Sequence, residues 1–286
     1  MLLSRSSSGL DYRWPAMIFA SIPSPATNVI EIGPLDIHFY GLMIGLGVVV
    51  SIIVTTRRYG RMGGDTAIAE KLLVWAVVAG VLGARIAYVA PRLSQITDRG
   101  FWRLFAIWEG GLALYGGLTA GVIVGVWLVR RNHGNVPMIL DAAAIGIPLA
   151  QGIGRWGNYF NQELFGTPSD LPWAVEIAER FRPAEYINSA TFHPVFLYES
   201  VWNLAIVIPV VLWVEKRFDL RRGNLFLVYL ITYGLARFTL EFIRTDNATI
   251  VAGMRANQLF AAVVVIVSAT ILFVRQRQTV SSPPEV

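Results

Sequence analysis

Seven apolar runs, at about residues 37–56, 70–90, 111–129, 138–154, 195–214, 224–243 and 257–275, alternate with short segments rich in Arg, Asp, Gly and Pro. Each is near the ~20 residues a helix needs to cross ~30 Å of hydrocarbon. A helix satisfies all its backbone hydrogen bonds within one segment, as lipid requires. The pattern predicts an all-α polytopic membrane protein with seven transmembrane helices. The third and fourth runs hold the most Gly and polar residues. A shorter apolar stretch, Met17–Ile22, is flanked and broken by Pro15, Pro23 and Pro25. No basic segment leads there into a long apolar one, so it reads as an interfacial segment and not a cleaved signal peptide.

Composition agrees. Mean hydropathy is +0.53, with 55% hydrophobic and 15% charged residues, outside the range of soluble domains. The net charge of +5 would suggest nucleic acid in a soluble chain. Here the charges lie in short loops, where they suit anionic lipid, and no nucleic-acid partner is expected. There is no cysteine, which excludes disulfides, thiolate metal sites and a cysteine nucleophile; thiol chemistry would need a thiol brought by the substrate. Of three histidines, His133 lies in a loop and no pair has ligand-like local spacing, so neither a metal nor another cofactor is expected.

Loop charges give an orientation. Twelve basic residues, among them Arg57, Arg58, Arg61, Arg130, Arg131, Arg221 and Arg222, crowd one set of short loops. Ten others spread over more than twice that length on the other side. Basic density in short loops marks the cytoplasmic side. The N-terminus is then outside and the C-terminus inside. The expected division is an extracytoplasmic arm over 1–36, a membrane domain over 37–275 with an extracytoplasmic cap at 158–193, and a cytoplasmic tail over 276–286.

Polar groups inside apolar runs carry the chemistry. Gly154-Arg155-Trp156-Gly157-Asn158 follows an apolar helix, and Glu163 lies in the loop beyond. A mid-membrane Arg costs roughly 2.5–3.5 kcal/mol on insertion scales, so it usually faces a polar cavity. Asn158, three residues after Arg155, shares its helix face. Gly152-x-Gly154-x-x-Gly157 spells a dinucleotide fingerprint, but no strand precedes it; these glycines are expected to allow close packing and a helix break at a pocket. Gly117, Gly121 and Gly125 read as small-residue packing. Two Gly-Gly pairs in Trp108–Leu118 suggest an irregular helix entry lining a cavity. In the sixth run Tyr233, Arg237, Glu241 and Arg244 form one polar stripe. Arg237 and Glu241 either neutralise each other, or Arg237 joins Arg155 on a shared anion such as phosphate, which Arg forks suit. His38–Met43, His193–Glu199 and the Arg85/Tyr88 pair place polar aromatic groups near the outer interface, where they act as anchors or line a site.

Together, His38–Met43, Gly83–Tyr88, Trp108–Leu118, Gly154–Gly166, His193–Glu199, Arg237–Arg244 and Gln258 resemble the bacterial prolipoprotein diacylglyceryl transferases, in order and spacing across about residues 30–275. The resemblance implies a seven-span inner-membrane enzyme. It would move the diacylglyceryl group of phosphatidylglycerol to the lipobox cysteine of preprolipoproteins, forming a thioether and releasing glycerol phosphate. It places important positions at Tyr40, Asp141, Arg155, Asn158, Glu163, Tyr233, Arg237 and Glu241. One departure is Tyr115, where the family usually has a histidine regarded as a candidate base; another is Val195-Phe196.

The expected catalytic set is Arg155, Arg237, Glu163, Glu241 and Tyr115. Substrate contacts are expected from Tyr40, Arg85, Asn158, Tyr233, Asp141 and Gln258. The arginines would hold phosphate and stabilise the leaving group, while Glu163 or Glu241 orients them or takes the cysteine proton. A transporter or channel for a small anion or lipid is the rival, since intramembrane Arg and Glu also mark transport paths. The two halves show no inverted repeat, which counts against it.

Overall fold

The computed structural model describes residues 21–33, 35–98, 100–106 and 110–280, with the side chains of 35, 114 and 278–280 outside the description. Of the Met17–Ile22 stretch, only the last two residues are described. A hairpin of β1 (Val29–Ile32) and β2 (Leu35–His38) leads into α1 (Phe39–Arg61) and α2 (Thr66–Val89). A short α3 (Leu93–Thr97) precedes α4 (Leu114–Arg131) and α5 (Val136–Asn161). Next come β3 (Val175–Glu176), β4 (Thr191–Phe192) and α6 (Val195–Val201). A π-helical turn, Trp202–Val207, joins α6 to α7 (Ile208–Arg217). The chain ends in α8 (Asn224–Leu240), β5 (Ile250–Val251), β6 (Met254–Arg255) and α9 (Ala256–Val280).

Each apolar run carries a helix. Five helical stretches are long and apolar enough to cross a membrane: Phe39–Arg61, Thr66–Thr97, Val136–Asn161, Val195–Arg217 and Ala256–Arg277. The other two are shorter, α4 with 18 residues and α8 with 17. Seventeen residues reach about 26 Å at 1.5 Å each. Both helices are cut short by their ends. Before α4, Gly110 and Gly111 hold φ of +82° and +76°, a left-handed geometry that glycine adopts without Cβ strain, and after it come Arg130-Arg131. The helix α8 starts at Gly223 (φ +89°) and ends where Glu241 turns into a polar cluster. Strands among the described residues form three antiparallel two-stranded pairs and no closed sheet.

Polar side chains start the helices at one end of the bundle. Asp65 accepts from the N–H groups of Ala67 and Ile68 (2.9 and 3.2 Å), and Asn135 accepts from Met138 (3.0 Å). The helix α8 has no capping side chain of its own. Asp141 of α5 reaches across instead, accepting from the N–H of Gly223 and that of Phe226 (3.1 Å). Such caps satisfy N–H groups a helix cannot, each contributing about 1 kcal/mol.

Three helix pairs make the most extensive contacts: α1 with α5, α2 with α4, and α8 with α9. Small residues zip α2 to α4. A Cβ on Gly116 would collide with the Ala87 side chain and stand 2.8 Å from the Gly83 carbonyl, and one on Gly117 or Gly121 would stand 3.0 or 3.1 Å from the nearest α2 carbonyl. The expected break near Gly154–Gly157 is absent, because α5 runs on to Asn161. These glycines serve packing: Gly152 meets Leu204, Gly154 meets Ile44 and Gly157 meets Tyr40.

Replacing Gly116 by Val should wedge α2 from α4 and lower stability by about 1–3 kcal/mol. Gly45→Val, at a site with nothing within 4 Å of a Cβ, should stay within about 0.5 kcal/mol. Thermal unfolding of both variants in the same detergent compares them.

Candidate active site

Beyond α5 the chain reverses sharply. Gln162 and Leu164 hold φ of +51° and +57°, and the turn returns Glu163 to the helix it has left. Its N–H donates to the Asn158 carbonyl (3.1 Å), and the Asn158 amide donates to Glu163 Oε1 (2.8 Å). The following segment folds on a small core of Phe165, Val175, Ile177, Phe192 and Phe196. Gly166 threads between His193 and the end of α8, its N–H donating to the His193 carbonyl (2.9 Å), while the N–H of Thr167 donates to Ile243 (2.7 Å). A Cβ on Gly166 would lie 2.8 Å from His193 and 2.9 Å from the Ile243 carbonyl. Only glycine lets this strand fasten α6 and α8 together.

Glu199 of α6 occupies the meeting point. Its carboxylate pairs with Arg155 of α5 (2.6 Å), Arg237 of α8 (3.4 Å) and Arg244 just beyond α8 (3.8 Å). Arg237 also pairs with Glu241 (2.9 Å), which pairs with Arg255 at the entry to α9 (2.9 Å). Asp246 closes the lattice through Arg244 (2.7 Å) and Arg255 (3.2 Å). Burial alone would raise the Asp246 carboxyl; the Arg244 hydrogen bond and the charges of Arg244 and Arg255 outweigh it and hold it below the usual carboxylate range. The Ser200 hydroxyl donates to the Gly152 carbonyl (2.9 Å), fixing α6 on α5.

The lattice has a front and a back. The Glu199 and Glu241 side chains are 2% and 0% exposed, whereas Arg155, Arg237 and Arg255 keep 21%, 15% and 18%. The Glu199 and Glu241 carboxylates thus stand behind guanidiniums, with Asp246 at the more exposed edge (27%). Four arginines against three carboxylates leave one positive charge. Arg155 also donates to Asn158 Oδ1 (3.2 Å). Tyr40 lies within electrostatic reach of Arg155 and Glu163, and Tyr233 within reach of Arg155.

Arg155, Asn158, Glu163, Arg237, Glu241, Tyr40 and Tyr233 therefore share one site. Arg237 and Glu241 do neutralise each other, within a larger lattice. Four expected residues lie elsewhere. Asp141 is fourteen residues before Arg155, about 21 Å of helix, and its carboxylate caps α8. Arg85 donates to the carbonyls of Leu104, Gly110, Gly111 and Arg103 and organises that loop. Tyr115 is largely exposed at the start of α4 and donates to Asn257 (3.2 Å), next to Gln258. Gln258 is buried, and its Nε2 has no hydrogen-bond partner among the described residues.

Glu199, Arg255 and Asp246 belong to the lattice although they were not expected in it, and Arg244, read as part of the sixth run's polar stripe, joins them. Glu199 carries the same signal as Arg155, a charge inside an apolar run. Arg255 and Asp246 gave none, because loop charges are ordinary.

Guanidiniums backed by the buried Glu199 and Glu241 carboxylates, at one end of a helical membrane bundle, can accept an anion. Residues 27–274 match the family described as prolipoprotein diacylglyceryl transferase, and the chain belongs to that family. It is 42% identical over 269 residues to the phosphatidylglycerol–prolipoprotein diacylglyceryl transferase of Frankia alni, covering 91% of this chain and 69% of that one. It is 43% identical over 261 residues to the enzyme of the same name from Cutibacterium acnes, covering 90% and 88%. An enzyme of that name from Streptomyces coelicolor is 41% identical over 245 residues, covering 84% and 76%.

Removing one partner from a buried ion cluster costs about 3–5 kcal/mol because it strands the others. Glu199→Ala should therefore lose about that much stability, which denaturant titration would measure. An Asp246→Asn change, at a more exposed carboxylate, should lose less than half as much.

Proposed function

We propose that this chain transfers the diacylglyceryl group of phosphatidylglycerol to the cysteine thiol of a prolipoprotein. Its family and the names of its relatives support this reading, and they do not favour a transporter. The observation that carries the chemistry is the row of arginines backed by buried carboxylates, which offers donors to a phosphodiester.

In this reading Arg155, Arg237 and Arg255 hold the phosphate, with Asn158 as a neutral donor and Tyr40 and Tyr233 at the rim. The thiolate sulfur attacks the diacylglyceryl methylene carbon that bears the phosphodiester oxygen. A C–S bond forms, the C–O bond breaks, and glycerol phosphate leaves with the electron pair on oxygen, stabilised by guanidiniums already in place. A thiol of pKa ~8.5 needs modest help, and neighbouring cations favour its thiolate. Glu163 takes the proton. It is half-buried and held by a neutral amide, whereas Glu241 is enclosed between Arg237 and Arg255. Glu199 is a positioning residue. Tyr115 stands apart from the lattice with its hydroxyl donating to Asn257, and in this reading it is not the base.

We read α4 and α8 as two further spans, making seven, with the 158–193 cap outside and the 218–223 loop in the cytoplasm of a bacterial inner-membrane protein. Basic loop density supports this.

Incubating purified protein with phosphatidylglycerol and a lipobox peptide should give a peptide heavier by one diacylglyceryl group. No transfer by the folded wild type sinks the reading. Arg155→Ala and Arg237→Ala should each lose two or more decades of rate, equivalent to about 3 kcal/mol or more.

Because the chain has no cysteine, Asp170→Cys and Arg221→Cys, both at exposed positions, test the orientation without background. An impermeant thiol reagent should label the first in intact cells and spare the second; the reverse overturns the proposed topology.

A further inference from the structure

Away from the lattice, cations gather where α2 ends. Arg85, Tyr88, Arg92, Gln95 and Arg103 line an open, polar cleft of ≈ 270 Å³. Arg85 forms its floor. Its guanidinium is buried, and the backbone carbonyls that accept its N–H groups carry no net charge to cancel its own. Arg92 donates to the Tyr88 carbonyl (3.2 Å) and stacks 4.6 Å above the Tyr88 ring. Neither Arg85 nor Arg92 forms an ion pair with any described carboxylate, Asp98 of the same segment included. An arginine has five N–H groups, so Arg92 retains donors for a ligand.

The cleft's surroundings say which anion fits. Leu93, Phe101, Trp102 and Phe105 are exposed, Phe101 and Phe105 by 70% and 68%. They sit on a short irregular segment that follows directly on a membrane helix. Exposed aromatic residues at that depth bed among headgroups and upper acyl chains. Arginines beside them would meet a headgroup phosphate. A free phosphate ion would make no use of this apolar rim.

We infer that the cleft binds the phosphate of an anionic phospholipid, at a site separate from the arginine–carboxylate lattice and independent of the transfer reaction. Arg92 faces the phosphodiester, Arg85 adds charge from below, and the aromatic segment lies along the acyl chains.

The test uses delipidated full-length protein carrying Arg155→Ala and Arg237→Ala, so that the lattice contributes little. Native mass spectrometry would count bound phosphatidylglycerol against phosphatidylcholine. The double variant should still prefer the anionic lipid. Adding Arg92→Glu should weaken that preference by about tenfold or more, as expected for loss of one charge-assisted hydrogen bond. Arg92→Lys should keep most of it. Unchanged binding in Arg92→Glu, or no anionic preference in the double variant, overturns the inference. Displacement of the lipid by an equal concentration of inorganic phosphate also overturns it, since the site would then take a free anion. In the otherwise native protein, Arg92→Glu should leave kcat at saturating phosphatidylglycerol unchanged. A collapse of kcat would place the cleft in the reaction and defeat the claimed independence.

Discussion

Glu199 is nearly sealed from solvent and pairs with guanidiniums from α5, α8 and the turn beyond α8. A charge taken out of water is costly unless its partners hold it in good geometry. Neither the carboxylate nor the arginines would be stable at this depth alone, so each fixes the others. Three parts of the chain are thereby locked at one point, and the outward edges of the arginines are set before any ligand arrives.

Much of the neighbouring backbone serves that arrangement. The Asn203 side-chain amide donates to the Glu199 carbonyl (2.8 Å) within the π-helical turn, and such turns recur at functional sites. Ser200 fastens α6 to α5. Gly166 lets the segment after α5 pass close enough to α8 to hold Ile243 and Arg244 in position. At the opposite end Asp141 seats the start of α8, so one helix is fixed at both termini by residues distant in sequence.

Hydrophobic periodicity makes the helices legible, because lipid demands long apolar runs and little else can produce them. Arg155, Asn158 and Glu163 are equally legible, being polar groups at the end of such a run with helical spacing. Glu199 is harder. A single acid in an apolar run reads as an interfacial group until its partners on two other helices are seen. Arg255 and Asp246 are not legible at all, since only the β5–β6 hairpin brings Arg255 back to Glu241 and to Asp246. Asp141 shows the converse: a buried acid looks like chemistry in the sequence, yet its oxygens are taken by the first N–H groups of a helix.

The lattice's surplus of one positive charge has a consequence for turnover. A phosphodiester headgroup carries one negative charge and balances that surplus, while an ionised Glu163, outside the ion-paired lattice, adds one negative charge more. A phosphate monoester, with its second ionisation near pH ~6, carries close to two at neutral pH. If Glu163 holds the thiol proton, the extra negative charge is offset while the product is still bound. Once that proton escapes to water, substrate-matched electrostatics face a dianion with a carboxylate beside it. In the proposed reaction that charge mismatch favours the release of glycerol phosphate.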